Sequence, residues 1–250
     1  MRWLLPLLAL CACNPDPGFP DEQVGYRDIL DDGPTSAERG NIIISEILWS
    51  GTVRRDGEAW QWDPDDVFIE LRNEGYLPVK VVDWFLIMEG PVYKTWRLPA
   101  PHDPDPTDDV EPSGVLQVGQ EVFFAAKTSG CFPEPDGIME GLEFPTTGDG
   151  FRLVLKDADE RLVERAGSRS MPPYAGGYDL VVSRSMERIN LMFGESGSSP
   201  NMWHHYTDNT DIDVPNNDRI AEDCRARTLA SPGRANSPDY SGAYASGGFE

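Results

Sequence analysis

Three histidines are the side chains of this chain whose ordinary pKa lies near neutrality, and their spacing suits catalysis poorly. His102 stands alone in an acidic stretch, and His204 and His205 are adjacent. A hydrolytic metal centre or a Ser-His-Asp site would have to be assembled from them, and neither H-E-x-x-H nor G-x-S-x-G occurs. Carboxylates are more conspicuous. Glu46 interrupts the apolar run Ile42-Ile43-Ile44-Ser45-Glu46-Ile47-Leu48-Trp49, and Glu70 interrupts Val67-Phe68-Ile69-Glu70-Leu71-Arg72-Asn73. Two carboxylates across a cleft can share acid–base work. On one sheet face without a cleft they only repel. Arg72 lies two positions from Glu70 on the same strand face, and Arg188, in the segment Ser185-Met186-Glu187-Arg188, is the second candidate guanidinium. The expectation is a structural ion-pair cluster of Glu46, Glu70, Arg72 and Arg188, with a guanidinium between or beside the acids. Nothing gathers an acid, a base and a nucleophile, so no enzyme activity is expected.

Hard cations are the other chemistry on offer. Asp208, Asp211 and Asp213 in Asp208-Asn209-Thr210-Asp211-Ile212-Asp213, and the run Asp63-Pro64-Asp65-Asp66, place several oxygens in short loops. The EF-hand order, with Gly sixth and Glu twelfth, is absent. Aspartates at this density are also ordinary turn residues. No cofactor is expected, and calcium is the one cation these weak candidates would admit.

The cysteines place the chain in the cell. Met1-Arg2-Trp3 precedes a ten-residue apolar run ending Leu10-Cys11-Ala12-Cys13, too short to span a bilayer and suited to a signal-peptide core. It resembles a bacterial lipobox, with Cys13 the better acylation site because the small Ala12 precedes it. Two thiols then remain, Cys131 and Cys224, and an exported chain would pair them as a disulfide. The formal charge of −22 disfavours phosphate backbones, so no nucleic-acid partner is expected.

These groups need elements to hold them. Residues 14–40 are rich in Pro, Gly and acids and read as a flexible tether, while 238–250 read as a disordered Gly/Ser tail. Between them, short apolar or alternating runs near 41–49, 67–73, 79–88, 92–97, 121–126, 151–156, 161–165 and 180–186 read as strands. Asp157-Ala158-Asp159-Glu160 reads as a hairpin turn. No capped helical period appears, so the fold class is all-β, an antiparallel sandwich with long loop insertions at 99–114 and 128–149. Trp84, closing an apolar run, is the expected core anchor. Trp60 and Trp62 fall in a polar stretch read as a loop. With Trp203 they make either a binding patch or rings folded over the sandwich end.

Ordered along the chain, IIISEIL, DVFIELRNEG, VKVVDWFLI, Ser185-Met186-Glu187-Arg188, Trp203 and Pro232-Gly233-Arg234-Ala235-Asn236-Ser237 resemble a bacterial lamin tail domain across 41–237. The resemblance implies an immunoglobulin-like β-sandwich. Ser45 stands where that family usually has Asn, and Asp83 where it has Gly before the Trp. Together with the lipobox (1–13), it implies a non-catalytic, lipid-anchored module of the bacterial cell envelope. Such a module would present loops to a protein or to an envelope polysaccharide. The competing expectation is an accessory carbohydrate-binding or calcium-binding domain of an extracellular hydrolytic system.

Overall fold

The computed structural model describes residues 35–101, 114–145, 148–189, 196–207 and 217–238. They hold seventeen short strands, one 3₁₀ turn (Pro200–Met202) and no α-helix. In chain order the strands are β1 (Ile42–Leu48), β2 (Thr52–Asp56), β3 (Ala59–Asp63), β4 (Phe68–Asn73), β5 (Val79–Lys80) and β6 (Phe85–Glu89). Next come β7 (Lys94–Arg97), β8 (Val115–Leu116), β9 (Glu121–Ala125), β10 (Gly137–Ile138), β11 (Arg152–Lys156) and β12 (Leu162–Gly167). The last are β13 (Gly177–Tyr178), β14 (Ser183–Arg184), β15 (Met186–Arg188), β16 (Trp203–His205) and β17 (Thr228–Leu229).

Two sheets form the sandwich. One has six strands in the order β10-β9-β4-β1-β15-β16, and the other has four, β12-β11-β6-β7. Ile42, Ile44, Ile47, Ile69, Leu71 and Phe124 of the first pack with Leu86, Met88, Leu153, Leu155 and Val163 of the second. Trp84 is fully buried in this core and donates its indole N–H to the carbonyl of Thr35 at 2.9 Å, as expected of an anchor. The pairings are antiparallel with two exceptions, β10 with β9 and β14 with β17. Turn chemistry sets the β11–β12 hairpin where it was expected. The carboxylate of Asp157 accepts from the N–H of Asp159 and of Arg161, and Glu160 takes a φ of 61°.

Three boundaries differ from the sequence reading. The run 79–88 is broken at Asp83, whose φ of 61° is the left-handed conformation that a glycine adopts freely, so β5 and β6 are separate strands. Residues 35–40, read as the end of the tether, are held to the body. Ser36 donates to Asp157, and Gly40 N–H donates to the carbonyl of Val163. The stretch around Ala59-Trp60-Gln61-Trp62 is not a loop. It is β3, paired with β2 across Gly57-Glu58, with Gly57 at a φ of 61°.

The six-stranded sheet is buried on both faces. A register shift between Ile44 and Glu46 inserts Ser45 as a bulge, which keeps Ile42, Ile44 and Ile47 on the inner face. Leu48, Phe68, Phe123 and Ala125 then point outward into a second apolar cluster with Cys131, Phe132, Ile220, Cys224 and Ala230. The cover is therefore built from the insertion at 128–149 and from the C-terminal segment 217–238.

Candidate functional site

Glu46 is the Cα partner of both Glu70 on β4 and Glu187 on β15, and Glu187 is the partner of His204 on β16. The outer sheet face therefore carries a ladder, Glu70–Glu46–Glu187–His204, one residue from each of four adjacent strands. Its three carboxyls are fully buried and His204 is 4% exposed. Residues directly opposite in such a pair sit about 5 Å apart at Cα, too close for three bare charges out of water.

The C-terminal segment meets this row. Ser45 Oγ donates to Glu70 Oε1 at 2.6 Å, and Gly233 N–H donates to Oε2 at 2.7 Å. Ser231 N–H donates to Glu46 Oε1 at 2.9 Å. Ser231 Oγ lies 3.2 Å from Glu46 Oε2 and 2.5 Å from Glu187 Oε1. Ser237 gives both its N–H and its hydroxyl to Glu187 Oε2, and His204 Nε2 stands 3.7 Å from that oxygen. Asn236 ties the same segment to the carbonyls of Ser45 and Arg188. One hydroxyl carries one proton, so Ser231 Oγ can donate to a single carboxylate. Both contacts are satisfied when Glu46 is protonated and donates to Ser231, which donates onward to Glu187. Burial, reinforced by the charge of Glu187, pushes Glu46 up to about 8. Burial raises Glu70 as well, with Glu46 adding to it, and burial raises Glu187.

This corrects the expected ion-pair cluster. Glu46 and Glu70 do share a face and do stitch the terminal segment to the sheet, but among the described residues no guanidinium is paired with either. Arg72 turns to Glu74 at 2.7 Å and Glu121 at 3.1 Å. Arg188, one residue beyond Glu187, points to the opposite side of the strand, pairs with Glu164 at 3.2 Å and lies over the Trp203 ring. Protonation and the hydroxyls of Ser45, Ser231 and Ser237 do the neutralising. Within Ser185-Met186-Glu187-Arg188 it is Glu187, not Arg188, that joins the row. Since Met186 is a core residue, strand alternation alone would have turned Glu187 toward Glu46.

Other sequence candidates sort cleanly. Cys131 and Cys224 form a disulfide with Cα atoms 5.8 Å apart, pinning the C-terminal cover to the insertion. Asp66 is buried and raised by burial, accepting from Thr52 Oγ and Cys131 N–H, while Asp63 pairs with Lys127 at 2.6 Å. Among the described residues no group of three or more His, Cys, Asp or Glu is placed to hold a metal ion. Cys13, Asp208, Asp211 and Asp213 lie outside the described residues.

The aromatic candidates separate too. Trp203 is buried at 5% exposure, with its indole N–H donated to Gly197, and takes no part in a surface patch. Trp60 and Trp62 share one face of the β2–β3 hairpin. Trp62 stacks on Tyr178 with ring centroids 4.9 Å apart and planes 10° apart, and its indole N–H donates to Ser50 O at 2.8 Å. It remains 41% exposed. Arg227 lies over the Trp60 ring, 4.3 Å from its centroid. Tyr178 and Arg227 escaped the sequence reading because both come from segments remote from the hairpin. Against known proteins, no family model and no curated protein matches this chain.

Proposed function

We propose that this chain is a non-catalytic binding module of the bacterial cell envelope, held to a membrane by lipid at Cys13 and built on a lamin-tail-like, immunoglobulin-like sandwich. The observation that carries the reading is a contrast in how chemical groups are used. A row of four ionisable side chains on adjacent strands, Glu46, Glu70, Glu187 and His204, is sealed beneath the protein's own C-terminal segment. The surface instead offers a fixed aromatic face on a hairpin. Buried acids of raised pKa are a usual mark of catalytic sites. Here their oxygens are taken up by Ser45, Ser231, Gly233 and Ser237, which suits a structural role. Rigid aromatics on a scaffold edge suit recognition. Short apolar run, lipobox-like Cys13 and acidic spacer suit tethering of such a surface without a spanning helix.

Metabolic labelling with a palmitate analogue tests the tether. The wild-type chain takes up label and fractionates with membranes, and Cys13→Ala loses both. An exported chain that is unlabelled and soluble overturns the anchored reading.

A further inference from the structure

On the premise that the chain is a binding module, we infer that the partly exposed aromatic face of the β2–β3 hairpin is a site for a neutral polysaccharide. A pyranose ring stacks against the Trp62–Tyr178 pair, and the guanidinium groups beside Trp60 donate to its hydroxyls. Three restraints hold Trp62. Its ring stacks on Tyr178, its N–H is tied to Ser50, and its cross-strand partner Val53 is buried. Stacking on Tyr178 uses one face of the indole, and the residue as a whole remains 41% exposed. A side chain already immobilised loses little further entropy when a ligand arrives. The negative face of such a ring suits the polarised C–H bonds of a sugar.

The donors lie along the same row. Arg55 is the cross-strand partner of Trp60, and Arg227 covers its ring. Arg54, on the opposite face of the hairpin, is paired with Asp223 at 2.6 Å. Arg55 and Arg227 have no ion pair among the described residues, although the chain has 43 acidic side chains to 21 basic ones. Each guanidinium brings several N–H donors in a fixed plane. Trp60 and Trp62, two residues apart on one strand, set the row at about 7 Å spacing, which suits an extended ligand rather than a compact one. Net charge decides the ligand's own charge. At −22 the molecule repels a polyanion at long range, so uronate or phosphate polymers are disfavoured and uncharged hydroxyls are the fitting acceptors.

The test titrates the full chain in detergent with cellohexaose, chitohexaose and maltohexaose, and with oligogalacturonate as the acidic comparison, by calorimetry and tryptophan fluorescence. At least one neutral hexamer binds, and oligogalacturonate binds more weakly at low salt. Trp62→Ala weakens the neutral ligand about tenfold, and Trp62→Phe, which keeps a ring in place, retains part of the affinity. Arg227→Gln weakens it less and leaves the melting temperature close to wild type. Should Trp62→Ala fail to fold, Trp62→Phe and Arg227→Gln carry the comparison. Failure of all three neutral hexamers to bind, affinity untouched by these variants, or tighter binding of oligogalacturonate overturns the site. Glycan failure with Cys13-dependent membrane attachment intact removes the ligand alone. Glycan binding without attachment removes the tether alone.

Discussion

At the scale of single residues, the ladder makes stability depend on protons in an unusual direction. Glu46 is raised to about 8 in the folded chain from an ordinary value of 4.5, so between those values the folded state binds more protons than the unfolded state. Its contribution is full below about pH 4.5 and is lost as pH rises through about 8, at about 1.4 kcal/mol per pH unit within that window. Glu70 and Glu187 act with the same sign. Melting temperature should therefore fall steadily from pH 5 to pH 8. Glu46→Gln keeps an acceptor for Ser231 N–H and a donor for Ser231 Oγ without a titrating proton. It should melt at or above wild type at pH 8 and show a shallower slope; an unchanged slope would remove the ladder from the account. Arg188 belongs to a different network. Arg188→Met leaves Glu164 buried without its guanidinium and should cost roughly 3 kcal/mol. In double-mutant cycles it should couple to Glu164→Gln and add independently to Glu46→Gln.

At the scale of elements, the C-terminal segment acts as a third layer. It closes the outer face of the six-stranded sheet through the cluster around Phe68 and Phe123, through the ladder, and through the disulfide. The bridge spans 93 residues, and its removal in a Cys131→Ser, Cys224→Ser variant should cost on the order of 4 kcal/mol in denaturant unfolding. In the same variant, amide exchange at Ser231, Gly233 and Ser237 should accelerate ahead of exchange in β1 and β4; uniform acceleration would mean that the cover is not a separate cooperative unit. Much of this layering was legible. The apolar runs of β1 and β4, the Asp157 turn and Trp84 carry strong local signals. The β2–β3 hairpin was missed because its outer residues are polar, although Asp56-Gly57 between Thr52-Val53 and Trp60-Gln61-Trp62 is a turn signal. The cover was illegible for a different reason. Residues 217–238 are mostly irregular backbone held by long-range partners, and no period in the sequence announces such a layer. What the sequence did expose was the need for one, since Glu46 and Glu70 on one sheet face demand a neutralising partner. Only the donor's identity, serine and backbone rather than arginine, waited on the fold.

At the scale of the whole molecule, a charge of −22 on a chain of 250 residues adds diffuse self-repulsion to the local chemistry of the ladder. Both effects destabilise the fold as pH rises, yet they respond differently to salt. Repulsion among exposed carboxylates extends over a screening length of about 30 Å at 0.01 M salt and about 3 Å at 1 M, so added salt removes it. The proton on Glu46 is held beneath Ser231, and Glu70 and Glu187 are equally buried, so this row is screened far less than the surface. Raising sodium chloride at pH 8 should therefore increase the melting temperature of the wild-type protein and of Glu46→Gln by similar amounts. The pH 5 to pH 8 slope should shrink with salt but keep a residue that only the ladder variant reduces further. If high salt abolishes the slope in the wild type, surface repulsion alone explains it and the buried carboxyls are not the proton store. If salt leaves melting at pH 8 unchanged, the long-range field is weaker than the net charge implies. The argument against polyanionic ligands at the hairpin would then weaken with it.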